Sequence, residues 1–152
     1  MVGRVWRPVR VLLGLLLRRP ILGTSIIAHL ADGRVVLVRR RDNGLWSLPG
    51  GIVDWGEDIA TAARRELAEE TGLTLTALGP LVGIYSAPDR DPRFHSVCVA
   101  VVAEVTGTPH ISDQAEILEV GHFQRDELLR LPLSHDHARQ IEDFLAGRTV
   151  LA

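Results

Sequence analysis

Glu57, Glu66, Glu69 and Glu70 fall within one stretch, GIVDWGEDIATAARRELAEETGL, running from Gly51 to Leu73. Like charges this close repel, so a plain surface helix seldom groups them without partners. On a helix, residues three and four apart share a face. Glu66, Glu69 and Glu70 therefore project together, while Leu67 turns the other way with Ala63 and Ile59. Left unpaired, three acids on one face cost Coulomb energy and have raised pKa values. A divalent cation removes that cost, and hard oxygen ligands suit magnesium or manganese rather than zinc. The rival reading of the helix alone is a solvated acidic face balanced by Arg64 and Arg65. Glycines favour the first reading. Pro49-Gly50-Gly51 precedes the helix by a short loop, and Gly56 lies inside that loop. Glycine lets the backbone come close to an ion, so that its carbonyl can join the coordination shell. A glycine turn, one acid and then three acids on a helix make a cage with an open side. Such a cage suits phosphate chemistry, in which cations neutralise the anion and polarise the bridge under attack.

The order Gly51, five residues, Glu57, seven residues, Arg65-Glu66-Leu67, one residue, Glu69-Glu70, one residue, Gly72-Leu73 resembles the Nudix box at every defined position. Fixed spacing over that many positions is far more specific than a lone glycine motif. The resemblance implies magnesium-dependent hydrolysis of a nucleoside diphosphate linked to another group, with manganese as a substitute metal. By position, Glu66 and Glu70 resemble the principal metal ligands and Glu69 a further ligand or a base. Glu57 and a carbonyl of Gly50 or Gly51 would complete the cage, and Arg65 would orient the glutamates. In this family the base varies and can come from a later loop. Asp113, Glu116 and Glu119 lie in or beside such a loop, which leaves Glu69 and Glu116 as the two candidates.

Substrate choice is carried by other segments. YSAPDRDPRFHSV, residues 85–97, resembles a stretch in members that cleave ADP-ribose, with Phe94 standing where those members have glycine. Arg90 and Arg93 suit phosphate, and Phe94 or Tyr85 suits stacking on a base. The plain alternative is a solvated turn of alternating charge. Arg39, Arg40 and Arg41 end an apolar run close to the box, and at least one is placed to meet a pyrophosphate; a basic strand end also serves simply as a soluble edge. The expected substrate is thus ADP-ribose or a similar nucleotide sugar. A nucleoside triphosphate pyrophosphatase acting on modified nucleotides is the enzymatic alternative. A regulatory module that binds a nucleotide without cleaving it is the alternative of another class.

The elements that must position these groups follow from period and punctuation. GTSIIAHL (23–30) and RVVLVRR (34–40) are β-branched runs joined through Asp32-Gly33, a strong hairpin signal. LWSLP (45–49) reads as a short strand ending at the glycine pair. IATAARRELAEET is built from strong helix formers, and Gly72 sits where a left-handed cap is wanted. LTLTAL, LVGIYSA and HSVCVAVVAEV (95–105) read as strands, the last apolar on both faces as in a doubly covered strand. A polar loop (107–116) and a closing strand, EILEVGHF (116–123), come next. SHDHARQIEDFLAG (134–147) predicts a final helix with Ser134 as N-cap and Gly147 at its end. Runs of strands with few helices predict an α+β domain around a mixed sheet. The box resemblance implies the α/β/α sandwich of the Nudix family over residues 21–152.

The chain of 152 residues, 46% hydrophobic with a net charge of -2, has the composition of one folded domain. That charge gives no global pull toward nucleic acid. The single cysteine, Cys98, excludes an internal disulfide, reads as a buried structural thiol, and suits a reducing, cytoplasmic setting. His135 and His137, two apart on a helix, do not share a face, which argues against a zinc pair. The other histidines are scattered and read as structural. Residues 1–20 stand apart: Arg4, Arg7, Arg10, Arg18 and Arg19 flank VLLGLLL. On a helix Val5, Trp6, Val9, Leu12, Leu13, Leu16 and Leu17 form one stripe. That run falls far short of the ~20 residues that cross a bilayer. It predicts a basic amphipathic helix docked on its own domain or on a twin subunit. A helix resting on a membrane surface, or a signal-like segment, is the alternative.

Overall fold

The computed structural model describes residues 19–152. Of the helix expected over residues 1–20, residues 1–18 lie outside the described residues, and residues 19 and 20 are not helical. The described residues open with β1 (Ile21–His29) and β2 (Val35–Arg40). Their hairpin closes at Asp32-Gly33, where Gly33 takes φ 84 and the Asp32 carboxylate accepts from the Arg34 amide at 3.0 Å. Two short strands, β3 (Trp46–Ser47) and β4 (Gly50–Ile52), lead to helix α1 (Ile59–Thr71). Long strands β5 (Thr74–Tyr85) and β6 (Ser96–Thr106) follow, then β7 (Ile117–Phe123) and a 3₁₀ turn over Leu128–Arg130. Helix α2 (His137–Leu145) and strand β8 (Val150–Leu151) complete the described chain.

The strands form one mixed sheet in the order β3-β2-β1-β6-β5-β8, with β4 pairing β1 and β7 pairing β2. Its spine is the parallel ladder of β1 with β6, in register from Ile21↔Ser96 to His29↔Glu104. Side chains alternate across that spine. Ile26, Ala28, Ala103 and Val105 pack with Ala63 and Leu67 of α1 on one face. Ile27, Cys98 and Ala100 pack with Ile141 of α2 on the other. Both faces of the central strands are therefore covered, and the architecture is the expected α/β/α sandwich.

Three elements differ from the sequence-based expectation. The glycine pair does not merely end a strand: Gly50 and Gly51 are themselves strand, paired with Ser25 and Thr24 of β1. LTLTAL and LVGIYSA form a single strand, β5, which bends through register shifts between Leu75 and Gly83. Ser134 does not cap α2. Its hydroxyl accepts from the Asn43 side chain at 2.8 Å, and the N-cap position is Asp136.

Candidate active site

Helix α1 is fixed at both ends before any tertiary contact. The Asp58 carboxylate accepts from the Thr61 amide at 2.7 Å, and Gly72 closes the helix at φ 68 with its amide on the Ala68 carbonyl. Ala63 and Leu67, both fully buried, set the rotation of the helix against the sheet. That rotation carries Glu70 inward until it is 6% exposed, against the chain at β4. There the Gly50 amide donates to the Glu70 carboxylate at 2.9 Å. Burial pushes the Glu70 carboxyl up to about 8, the Gly50 amide opposes this, and the Glu66 charge adds to it. Glu66 is also raised, by burial first, with Arg65 acting against it. These are two acids whose charged forms are disfavoured as the site stands.

The box glycine has a steric reason. A Cβ on Gly51 would stand 2.5 Å from the Glu66 carboxyl carbon, so only glycine leaves room for that carboxylate. Gly50 is held at φ 150, and a Cβ there would lie 2.8 Å from the Ser25 Cα.

Arg65 organises the remaining acids. Its Nε and one Nη donate to the two Glu57 oxygens, each at 2.8 Å, and its other Nη donates to Glu66 at 2.9 Å and Glu69 at 3.2 Å. Arg65 first, helped by the Asp54 amide, holds the Glu57 carboxyl down at about 2. Glu57 thus sits in a two-pronged clamp and is absent from the wall of the main cavity, whereas Gly51, Glu66, Glu69 and Glu70 all line that wall.

The cavity measures about 720 Å³, a size that takes a small-molecule ligand. Its other side is basic. Arg40, Arg41 and Arg93 line it; Arg39 does not, and pairs instead with Glu119 at 3.4 Å. A register shift between Arg39 and Arg40 breaks the strict alternation of β2 and turns both Arg40 and Arg41 toward the site. Arg40 pairs with Asp42, while the Arg41 side chain donates to the Gln114 carbonyl at 3.1 Å. Arg93 grips Asp91 through both carboxylate oxygens, at 3.0 and 2.8 Å, and holds that carboxyl down at about 2. Its guanidinium stands 5.2 Å from the Phe94 ring centroid. Arg90 is taken up inside the protein by Asp136, at 2.9 Å on each oxygen, so it pins its loop to α2. Tyr85 is buried in the core with its hydroxyl on Asp143 at 3.0 Å, and is not a stacking residue.

Of the loop acids, Glu116 lines the cavity and, among the described residues, its side chain makes no hydrogen bond or ion pair. Asp113 also lines it, but its carboxylate caps its own turn on the amides of Ala115 and Glu116. Cavity residues without a local sequence signal are Ser25 and the run His135-Asp136-His137. Ser25 donates to Gln140 of α2, and Leu48 donates its amide to His137 at 3.3 Å. These contacts join strands and helix far apart in sequence, so no short motif announces them.

Among the described residues no three acidic, histidine or cysteine side chains are already set around one point. Arg65 bridges Glu66 and Glu69, and Glu70 turns to Gly50. The donor set nonetheless fits a hard divalent cation. It is all oxygen, it lies on one helix face against a glycine cradle, and a cation would favour the charged forms that burial disfavours at Glu66 and Glu70. Among the described residues no helix is long and apolar enough to cross a membrane.

Comparison with known proteins agrees with this geometry. Residues 19–144 match the NUDIX domain family. An ADP-ribose pyrophosphatase of Methanocaldococcus jannaschii is 36% identical over 118 residues, which is 75% of this chain and 67% of that protein. A putative 8-oxo-dGTP diphosphatase of Bacillus subtilis is 35% identical over 127 residues, 82% of this chain and 80% of that one. The NUDIX domain of Shewanella oneidensis NrtR, solved in complex with ADP ribose, superimposes with a TM-score of 0.77 at 26% identity, covering 88% of this chain and 91% of its own. Sequence, fold and the glutamate-bearing helix thus converge, and the chain is a member of the Nudix hydrolase family.

Proposed function

We propose that this protein hydrolyses the pyrophosphate of ADP-ribose or a similar nucleoside diphosphate sugar, giving a nucleoside monophosphate and a sugar phosphate. One observation carries the reading: Glu66, Glu69 and Glu70 line one cavity together with Arg40, Arg41 and Arg93. Glu66, Glu69 and Glu70, with a carbonyl of the Gly50–Gly51 turn, would hold magnesium, or manganese in its place. Bound there, such a cation would supply charge neutralisation of the diphosphate. Arg41 and Arg93 receive the remaining phosphate oxygens by charge-assisted hydrogen bonds. Glu116 takes the proton from the attacking water as the new P–O bond forms and the bridging P–O bond breaks. Glu116 is preferred to Glu69 because Arg65 already holds Glu69 at 3.2 Å. Arg65 keeps the glutamates apart and aimed, with Glu57 as its anchor. A lone buried thiol suits a reducing compartment such as the cytoplasm.

A second reading is favoured by the Bacillus relative named as a putative 8-oxo-dGTP diphosphatase. In it the same site releases pyrophosphate from a nucleoside triphosphate. Chromatography of products separates the two. AMP and ribose 5-phosphate from ADP-ribose support the first reading. A monophosphate with pyrophosphate, from triphosphates alone, would replace it with the second.

A further inference from the structure

The arginines of the cavity are nearly all matched to carboxylates. Five of them line it: Arg40, Arg41, Arg65, Arg90 and Arg93. Arg40 donates from Nε and one Nη to the two oxygens of Asp42, at 2.9 and 2.7 Å. Arg65 is shared by Glu57, Glu66 and Glu69, Arg90 is taken by Asp136, and Arg93 by Asp91. Arg41 differs: among the described residues its side chain meets no carboxylate and donates only to the Gln114 carbonyl, at 3.1 Å. The empty cavity thus holds many guanidinium donors but little fixed positive charge that is not already cancelled.

Asp42 has a particular place in this balance. It lines the cavity just after β2, and a second arginine reaches it from the loop after β5. The Arg93 Nη1 lies 3.5 Å from the same Asp42 oxygen that holds Arg40 at 2.7 Å. Arg40, more than any other neighbour, holds the Asp42 carboxyl below the usual carboxylate range, so it stays ionised near neutral pH. Asp42 is not on the glutamate helix and, with its side chain 46% exposed, is not part of the core.

A carboxylate that cancels a guanidinium beside a polyanion site penalises a ligand in proportion to the ligand's charge. A pyrophosphate esterified at both ends carries about two negative charges near neutral pH, and a free triphosphate about four. The repulsion from Asp42 is therefore about twice as large for the triphosphate.

We infer that Asp42 is a specificity residue: by cancelling Arg40 and drawing on Arg93 it lowers the fixed positive charge of the cavity, favouring pyrophosphate diesters over nucleoside triphosphates. The inference rests on the reading of the site as one that binds a pyrophosphate, and adds the residue that sets how much charge the site accepts.

The test reads binding, so that it does not depend on turnover. Dissociation constants of ADP-ribose and ATP are measured by calorimetry at low ionic strength, with calcium in place of magnesium. Asp42→Asn keeps the shape and an oxygen for Arg40 but removes the charge. Asp42→Glu keeps the charge. Asp126→Asn makes the same change of charge on an exposed turn that does not line the cavity. The affinity for ATP relative to ADP-ribose rises about 5- to 20-fold in Asp42→Asn and stays within about 2-fold of wild type in the other two. A ratio that is unchanged or falls in Asp42→Asn overturns the inference. So does an equal rise in Asp126→Asn, which would make the effect one of net charge, or in Asp42→Glu, which would make it one of shape. Failure of the wild type to cleave ADP-ribose with magnesium sinks the functional reading and leaves the binding ratio to decide this inference by itself. A wild type that binds neither compound overturns both.

Discussion

Replacing Glu70 by glutamine should stabilise the metal-free protein while disabling it. Glu70 is 6% exposed, and its carboxyl sits at about 8 in the fold against 4.5 for the free group. The folded state therefore holds its proton to higher pH than the unfolded chain does. Between pH 4.5 and about 8 the unfolded chain releases the proton while the folded chain keeps it, so stability falls as pH rises through that window. At about 1.4 kcal/mol per pH unit, the cost near pH 7 is on the order of 3 kcal/mol. Glutamine has nearly the same shape, keeps an oxygen for the Gly50 amide, and carries no such cost. The glutamine NH₂ in place of the acid O–H fits the buried site less well and offsets part of the gain, leaving roughly 1–3 kcal/mol. For a chain of this length that is a rise of roughly 3–9 °C in melting temperature. The assay is thermal unfolding with excess chelator near neutral pH, repeated near pH 5, where the gain should shrink to a small fraction. Magnesium should raise the melting temperature of the wild type and do little for Glu70→Gln, whose turnover drops by about 100-fold or more. A Glu70→Gln protein that melts at or below wild type in chelator, with the same pH dependence, would refute this account of the buried carboxyl.

Gly51→Ala pushes a methyl group against the Glu66 carboxylate, the mobile end of a side chain. Turnover should collapse while chemical denaturation shows a change within about 1 kcal/mol. Leu67→Ala empties a fully buried position beneath the same helix and should cost about 2–5 kcal/mol in urea unfolding, with kcat per folded molecule nearly unchanged. Glu116→Gln should lower kcat by about 100-fold at every magnesium concentration; Glu69→Gln should lose less and regain activity as magnesium is raised. The opposite ranking of these two variants would transfer the role of base to Glu69.

The parts of the fold written into the sequence were those stabilised locally. Helix α1 is bounded by Asp58 and Gly72, whose capping is settled within a few residues, and the hairpin at Asp32-Gly33 is equally self-contained. The box glutamates could be placed on a face by helix period alone. Strand β4 was not legible: Gly50 and Gly51 have no strand propensity and are extended because β1 pairs with them. Alternation along β2 could not choose among the three arginines, because the irregularity between Arg39 and Arg40 comes from pairing with β7. Ser134 carries a good capping signature, yet Asn43 claims its hydroxyl and the chain kinks at His135 before the helix starts. That kink, and with it a cavity residue, is a product of tertiary contacts that no neighbouring residue foreshadows.

The pairing of Arg90 with Asp136 has a consequence for how new preferences could arise in this scaffold. It ties the loop after β5 to the start of α2, so Arg93, Phe94 and His135 of the cavity wall are carried by segments joined to each other. The box glutamates are anchored separately, by Arg65, Gly50 and the α1 core. Substitutions in the joined segments and in the glutamate helix share few direct contacts, and their free energies should be close to additive. Selection can therefore redraw what the cavity accepts without disturbing how it cuts, and a library confined to residues 90–94 and 135–137 is the natural place to search for altered appetite.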